Sequence, residues 1–191
     1  MTGLLSRLLR GPSAANQIAA QLFNRLVTQA RQPVFFRDLG VPDSVDGRFD
    51  MLALHVFLVF QRLKGQGPRG ADLAQALYDT AIQDMEASLR QLGAGDAGVG
   101  KRIRVMTEAL QGRFVAYETA LAGNQMDVEG AVRRNLYGTV EPNLEAVRVV
   151  ARYLRQAKEL ADRQPVDRVL RGYFEFPPPP LFPSDTTTQN Y

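Results

Sequence analysis

The chain has 191 residues, 45% of them hydrophobic and 23% charged, enough for one globular domain with a core of its own. With no Cys there can be no disulfide, thiolate metal site or Cys nucleophile, and a single His, His55, excludes a multi-His metal centre. A net charge of +3 and a pI near 9.4 are too mild to specify nucleic acid, so DNA is not expected as a partner, and the longest apolar run, Met51 to Phe60, falls well short of the about 20 residues a membrane span needs.

Residues 1–12 read as a basic N-terminal segment. Arg7, Arg10, Arg25, Arg31 and Arg37 are not balanced by any acid before Asp38. That pattern suits a targeting presequence, a helix lying on an anionic membrane surface, or a helix with a cationic exposed face. Ser13 is placed to cap a helix running to about Gln32, with Ile18, Leu22, Leu26 and Ala30 on one stripe. Pro33 stops it, and residues 33–48 read as a loop. Phe49 to Leu63 is apolar almost all round and predicts a helix buried by its neighbours. After the loop "GQGPRG", Ala71 to Leu92 predicts a helix with Leu73, Leu77, Ala81, Met85, Leu89 and Leu92 on one side. Gly93 stands where a helix C-terminal glycine belongs, and Asp96 where a cap for the next helix would stand. That helix carries the stripe Val99, Ile103, Met106, Leu110, Phe114, Tyr117 and Leu121. A short helix follows near Val128 to Tyr137. Pro142 then opens another, with Leu144, Val147, Ala151, Leu154 and Ala161 inward, and a last turn covers Val166 to Arg171. The fold class is therefore all-α: a single bundle of about six helices over residues 13–172. Residues 173–191 form an aromatic, proline-rich tail with a disordered end, and "YFEFPPPPLFP" suits equally a partner's aromatic groove or a fold-back onto its own bundle.

"LGAGDAGVGKRIRVM" (92–106) matches both G-x-G-x-x-G and the start of a phosphate-binding loop. Both motifs need a preceding strand, and the second needs Ser or Thr after the Lys. Here a helix precedes and Arg102 follows Lys101, so nucleotide binding is rejected. Gly98 and Gly100 each cost a helical first turn up to about 1 kcal/mol, which suggests close approach of a neighbour. His55, among Leu54, Val56 and Phe57, reads as a buried imidazole bonded to a backbone oxygen or to Asp43, Asp46 or Asp50, rather than as a catalytic or haem-ligating group. In "DSVDGRFD", Asp46 and Gly47 predict a turn, with Arg48 bridging the loop acids. Candidate partner-binding cations are Arg48, Lys101, Arg102 and Arg104, together with Arg148, Arg152 and Arg155, which share one helix face. A salt-bridged solvated face is the competing reading for the last three, bracketed as they are by Glu145, Glu159 and Asp162.

Residues 40–63 ("GVPDSVDGRFDMLALHVFLVFQRL"), 72–106 ("DLAQALYDTAIQDMEASLRQLGAGDAGVGKRIRVM") and 113–121 ("RFVAYETAL") together resemble the ubiquinol–cytochrome c chaperone family. The pattern runs V-P-D-x-x-D-G-R-F, then L-H in an apolar helix, then L-R-x-L-G-x-G-D-x-x-V-G-K-R. The resemblance extends over residues 32–172, about three quarters of the chain. It implies an all-helical, non-enzymatic assembly factor for the cytochrome bc complex, without a cofactor or catalytic residue, that binds newly made cytochrome b or a related membrane client. Ribosome and a small partner subunit are further candidate partners, as is a peripheral membrane contact through the N-terminus. Asp46, Gly47, Arg48, Phe49, His55, Gly93, Asp96, Lys101 and Arg102 fall on the pattern. Mitochondrial members carry a long extension before the domain, which here starts almost at once. Lys is confined to Lys64, Lys101 and Lys158, as a GC-rich genome would give. Both features are expected of a bacterial cytoplasmic member working close to the inner membrane (on the matrix side in a mitochondrion). A groove of Phe and Met with a basic rim would suit such a client. The alternative is a basic helical ribosome- or RNA-binding module using Lys101, Arg104, Arg148 and Arg152.

Overall fold

Helix α3 (Val45–Leu63) is apolar on nearly every face, and its neighbours are arranged to cover it. The computed structural model describes residues 14–93 and 95–182, and these form helices without any strand. The basic segment 1–12, the proposed Ser13 cap and the tail from residue 183 onward lie outside the described residues. Around α3 stand α1 (Ala14–Ala30), α4 (Gly67–Gln91), α5 (Asp96–Ala122), α6 (Gln125–Leu136), α7 (Leu144–Arg163) and the single turn α8 (Val166–Val169). The one-turn α2 (Pro33–Arg37) sits in the stretch that reads as a loop. Pro33 at its start tolerates the missing N–H, and fully buried Phe35 holds the turn against the core.

The predicted apolar stripes face inward, with one exception at each of two ends. Leu92 is 64% exposed and Leu144 56% exposed. Helix starts differ more, because caps lie upstream of the apolar periodicity. Helix α3 begins at Val45 instead of Phe49, since the Ser44 hydroxyl accepts from the Gly47 N–H at 3.1 Å. Asp46 and Gly47 therefore belong to a helical first turn, not to a free-standing turn. Asn124 and Asp127 form a capping box that starts α6 at Gln125. Asn143 caps α7, so Pro142 precedes the helix instead of opening it.

The corner between α4 and α5 is made by Gly93, whose φ of +84° favours glycine. Asp96 does not cap α5. Gly95 occupies the N-cap, and the Asp96 carboxylate lies in the first turn, 3.9 Å from the Arg90 guanidinium. The close neighbour expected at Gly98 and Gly100 is also missing, because a Cβ on either would meet nothing within 4 Å. At Gly47 the opposite holds: a Cβ there would collide with the Pro42 carbonyl oxygen, so only glycine lets the 42–47 backbone fold so tightly.

The tail folds back. Gly172 turns the chain with a φ of +88°, and Gln164 then clasps Glu175 through both ends of its amide, donating to the Glu175 carbonyl at 3.0 Å and accepting from its N–H at 2.8 Å. Phe174 is buried, and Phe176 and Phe182 pack on the core, so residues 174–182 seal their own bundle. By this account Gly98→Ala and Gly100→Ala should each raise stability by up to about 1 kcal/mol, whereas Gly47→Ala should lower it by about 2 kcal/mol or more in urea unfolding.

Candidate functional site: an apolar cleft where the two sequence signatures meet

The segment around Gly47 and the α4–α5 corner are distant in sequence but adjacent in space. Phe49, Ala53, Met85, Leu89, Val99, Met106 and Leu110 make a small apolar cluster of their own, distinct from the main core. Above it opens a cleft of about 240 Å³. Its walls are the C-terminal end of α1 (Val27, Ala30, Arg31), the start of α3 (Val45, Arg48, Phe49, Leu52) and the end of α4 (Met85, Leu89, Leu92), with Met106 of α5 in the floor. Phe49, Met85, Leu89 and Met106 are almost buried, and Leu92 stands exposed at the lip.

Arg48 lines the cleft, and two ion pairs tie the start of α3 to its surroundings. Arg48 reaches Asp43 at 2.6 Å, as the spacing predicts, and Arg102 reaches back across the corner to Asp46 at 3.0 Å. Arg31 lines the cleft without an ion partner among the described residues. These bonds are exposed to solvent, where water screens them, so they set register more than stability.

Beneath the floor lies a buried charge pair that sequence reading missed. Arg113 Nη2 of α5 lies 2.6 Å from Asp50 Oδ1 of α3, and its guanidinium covers the Phe49 ring at 5.2 Å from the centroid. Burial pushes the Asp50 carboxyl up to about 6, with Arg113 opposing that rise. The neighbouring Tyr117 hydroxyl is fully buried.

His55 sits elsewhere, under the tail. The Met51 carbonyl, an acceptor only, lies 2.7 Å from Nδ1, which must therefore carry the proton. Nε2 then accepts from the Tyr153 hydroxyl at 2.9 Å, which in turn accepts from Gln29 Nε2 at 2.9 Å. Gln29 also donates to the Pro177 carbonyl at 3.0 Å. Phe35, Tyr153 and Phe176 surround the ring, with centroids 5.2–5.8 Å from it. The expected partners Asp43, Asp46 and Asp50 are not used; a backbone oxygen and a tyrosine take their place. Burial holds the imidazole down at about 4, against a weaker pull from Met51, so it is neutral and structural.

The candidate cations do not form one surface. Lys101 and Arg104 are exposed near the start of α5 and make no ion pair among the described residues. Arg148 and Arg152 both bond Glu145 at 3.2 Å, and Arg148 also approaches Glu129 at 4.0 Å. Arg155 donates to the Gln125 side chain and to the Gly123 carbonyl, both at 2.9 Å, at the far end of α5. Lys101 stands roughly 33 Å along α5 from that carbonyl. The salt-bridged reading therefore holds for Arg148 and Arg152. Among the described residues no group of His, Cys, Asp or Glu is placed to hold a metal, and no helix is long and apolar enough to cross a membrane.

The fold and site define an all-helical protein with a small, largely apolar cleft beside the Arg48–Asp43 ion pair. Residues 37–176 match the model of the family described as ubiquinol-cytochrome C chaperone, and the chain belongs to that family. It is similar to the ubiquinol-cytochrome c reductase complex assembly factor 1 of Drosophila melanogaster (21% identical over 154 residues, 78% of this chain and 60% of the relative). It is also similar to protein CBP3, mitochondrial, of Saccharomyces cerevisiae (26% identical, 76% of this chain and 44% of the relative). The chain thus spans about half of the length of these two relatives. Among solved structures, that of the Cbp3 homolog from Brucella abortus superposes with a TM-score of 0.77 at 32% identity, over 91% of this chain and 96% of that one.

His55 and Asp50 oppose each other as pH falls from neutral. The unfolded chain protonates His55 near 6.5 and the native one near 4, so this group withdraws about 3 kcal/mol of stability as pH falls between those values. Asp50 is protonated near 6 in the native state and near 3.8 when unfolded, so it adds stability as pH falls through that window. Asp50→Asn should therefore lose about 2 kcal/mol more than the native chain between pH 6 and pH 4, read by urea unfolding at each pH.

Proposed function

We propose that this chain is an assembly factor for ubiquinol–cytochrome c reductase that covers an apolar segment of newly made cytochrome b, or of a related membrane subunit, in the cleft between α1, α3, α4 and α5. The observation that carries this reading is convergence. The Gly47–Phe49 signature supplies one wall and Phe49 of the floor. The Leu89–Arg102 signature supplies the opposite wall, the exposed Leu92 lip and the Arg102 clasp. Membership in the chaperone family and similarity to the fly ubiquinol-cytochrome c reductase complex assembly factor 1 support the same reading. An apolar floor inside a polar rim is how protein-binding surfaces combine affinity with solubility. Met85 and Met106 give the floor side chains that re-pack around irregular apolar guests. The role is non-catalytic, and its place is the membrane face where such a client is inserted. A small partner subunit, the ribosome and a basic N-terminal contact with the membrane are compatible with it. The alternative, a ribosome- or RNA-binding module without a client, is less favoured because Arg148, Arg152 and Arg155 are already bonded within the chain.

In the native host, Leu92→Glu places a charge at the lip without disturbing the core. It should lower assembled, haem-loaded cytochrome b by about tenfold, the effect expected of losing a central apolar anchor. Val140→Glu, exposed elsewhere, should leave assembly unchanged. A photo-cross-linker at position 92 should capture cytochrome b. Equal assembly in the two variants, or normal cytochrome b after deletion of the gene, would remove this reading.

A further inference from the structure

Helix α5 buries one stripe against the bundle and leaves the opposite side open from Gly98 to Ala122. That open side is not simply polar. Val105 is 52% exposed and Val115 65% exposed, and a Cβ at Gly98 or Gly112 would meet nothing within 4 Å. The exposed positions recur at alternating intervals of three and four, the spacing of a seam that packs against another helix in left-handed antiparallel or parallel crossing.

The seam is complementary to itself. Set two copies of α5 antiparallel about a twofold axis at residue 110. Val105 then meets Val115 of the second copy, Gly98 meets Ala122, Lys101 meets Thr119, and Glu108 meets Gly112. On the flank of the seam, Arg104 falls beside Glu118 of the second copy, and symmetry makes that pair twice. Arg104 has no ion partner within the described residues, and Glu118 is half-exposed and already bonded within the chain by Lys64 at 2.5 Å. Arg104 lies in the first half of α5 and Glu118 near its end, so the antiparallel arrangement brings this pair together and the parallel one does not.

We propose that the outward face of α5 is a self-recognition surface on which two copies of this chain pair antiparallel. The occupant is a second copy, because the register that joins the two valine layers is also the register that joins Arg104 to Glu118. Lys101 and Glu108 inside the seam limit its affinity, and one helix face about 40 Å long buries less than a standard stable interface. The pair is therefore weak, with a Kd on the order of 10–100 µM. The face is separate from the cleft, so pairing leaves the cleft open.

Sedimentation equilibrium of the full chain from about 5 to about 500 µM tests this. The native chain should dimerise across that range. Arg104→Glu should weaken the dimer about tenfold, and adding Glu118→Arg should restore it to within about threefold. The chain has no Cys, so Gln111→Cys, next to the axis, should give a disulfide-linked dimer on mild oxidation, whereas Gln75→Cys on the exposed side of α4 should not. Circular dichroism of each variant verifies folding. A native chain monomeric throughout the range, a dimer indifferent to Arg104→Glu, or equal cross-linking at positions 75 and 111 would each overturn the proposal, as would a foreign helix found on this face of a monomeric chain.

Discussion

A helix with no solvent side forces every neighbour into place. Leu54, Val56, Phe57, Leu58 and Val59 of α3 point in all directions, so helices must stand all round it. Apolar cover alone is non-directional and would permit sliding. What fixes register is that α3 also carries two ionisable groups into the interior, and each is answered from a different helix: His55 by Tyr153 of α7, Asp50 by Arg113 of α5. A misplaced α5 or α7 would leave a buried polar group without its partner, at a cost of about 1–3 kcal/mol or more. The cleft inherits this constraint. Arg113 pins α5 beneath Phe49, and the same helix delivers Met106 to the floor and Arg102 to Asp46 in the first turn of α3.

Much of this was legible in the sequence, for reasons that separate local from distant physics. The helical stripes, the buried character of α3 and the left-handed Gly93 follow from periodicity and from the conformational freedom of glycine. Helix starts were misplaced because Ser44, Asn124 and Asn143 cap ahead of the first apolar residue, so hydrophobic spacing alone begins too late. Pro33 reads as a stop, yet Phe35 has a core site to fill and pulls one more turn into being. The charged trio on α7 shares a face as its spacing requires. Its partners Glu129 and the Gly123 carbonyl come from other segments, which no window of residues reveals.

The candidate site was half legible. The two signatures were recognisable as strings, and Gly47, Arg48, Phe49 and Arg102 lie within them. That they form the two sides of one cleft depends on α4 and α5 folding back across α3. Asp50–Arg113 escaped notice because an acid and a base 63 residues apart carry no local mark (positions 50 and 113). Gln29 was equally silent, lying 124 residues before its tyrosine and 148 before its proline carbonyl. Gly98 and Gly100, which looked like sites of close approach, face open space. Their signal in the sequence was real, but nothing among the described residues answers it.

The clasp between Gln164 and Glu175 places the last piece of the bundle's seal beyond its last helix. Phe176 packs on the His55 ring and Phe174 on Phe176, so the tail covers the His55–Tyr153–Gln29 chain of hydrogen bonds. A polypeptide broken off within residues 172–177 would keep every long helix and still present aromatic surface and an opened polar network. Losing the tail would therefore cost the bundle its cover without costing it a long helix, and local opening would begin there.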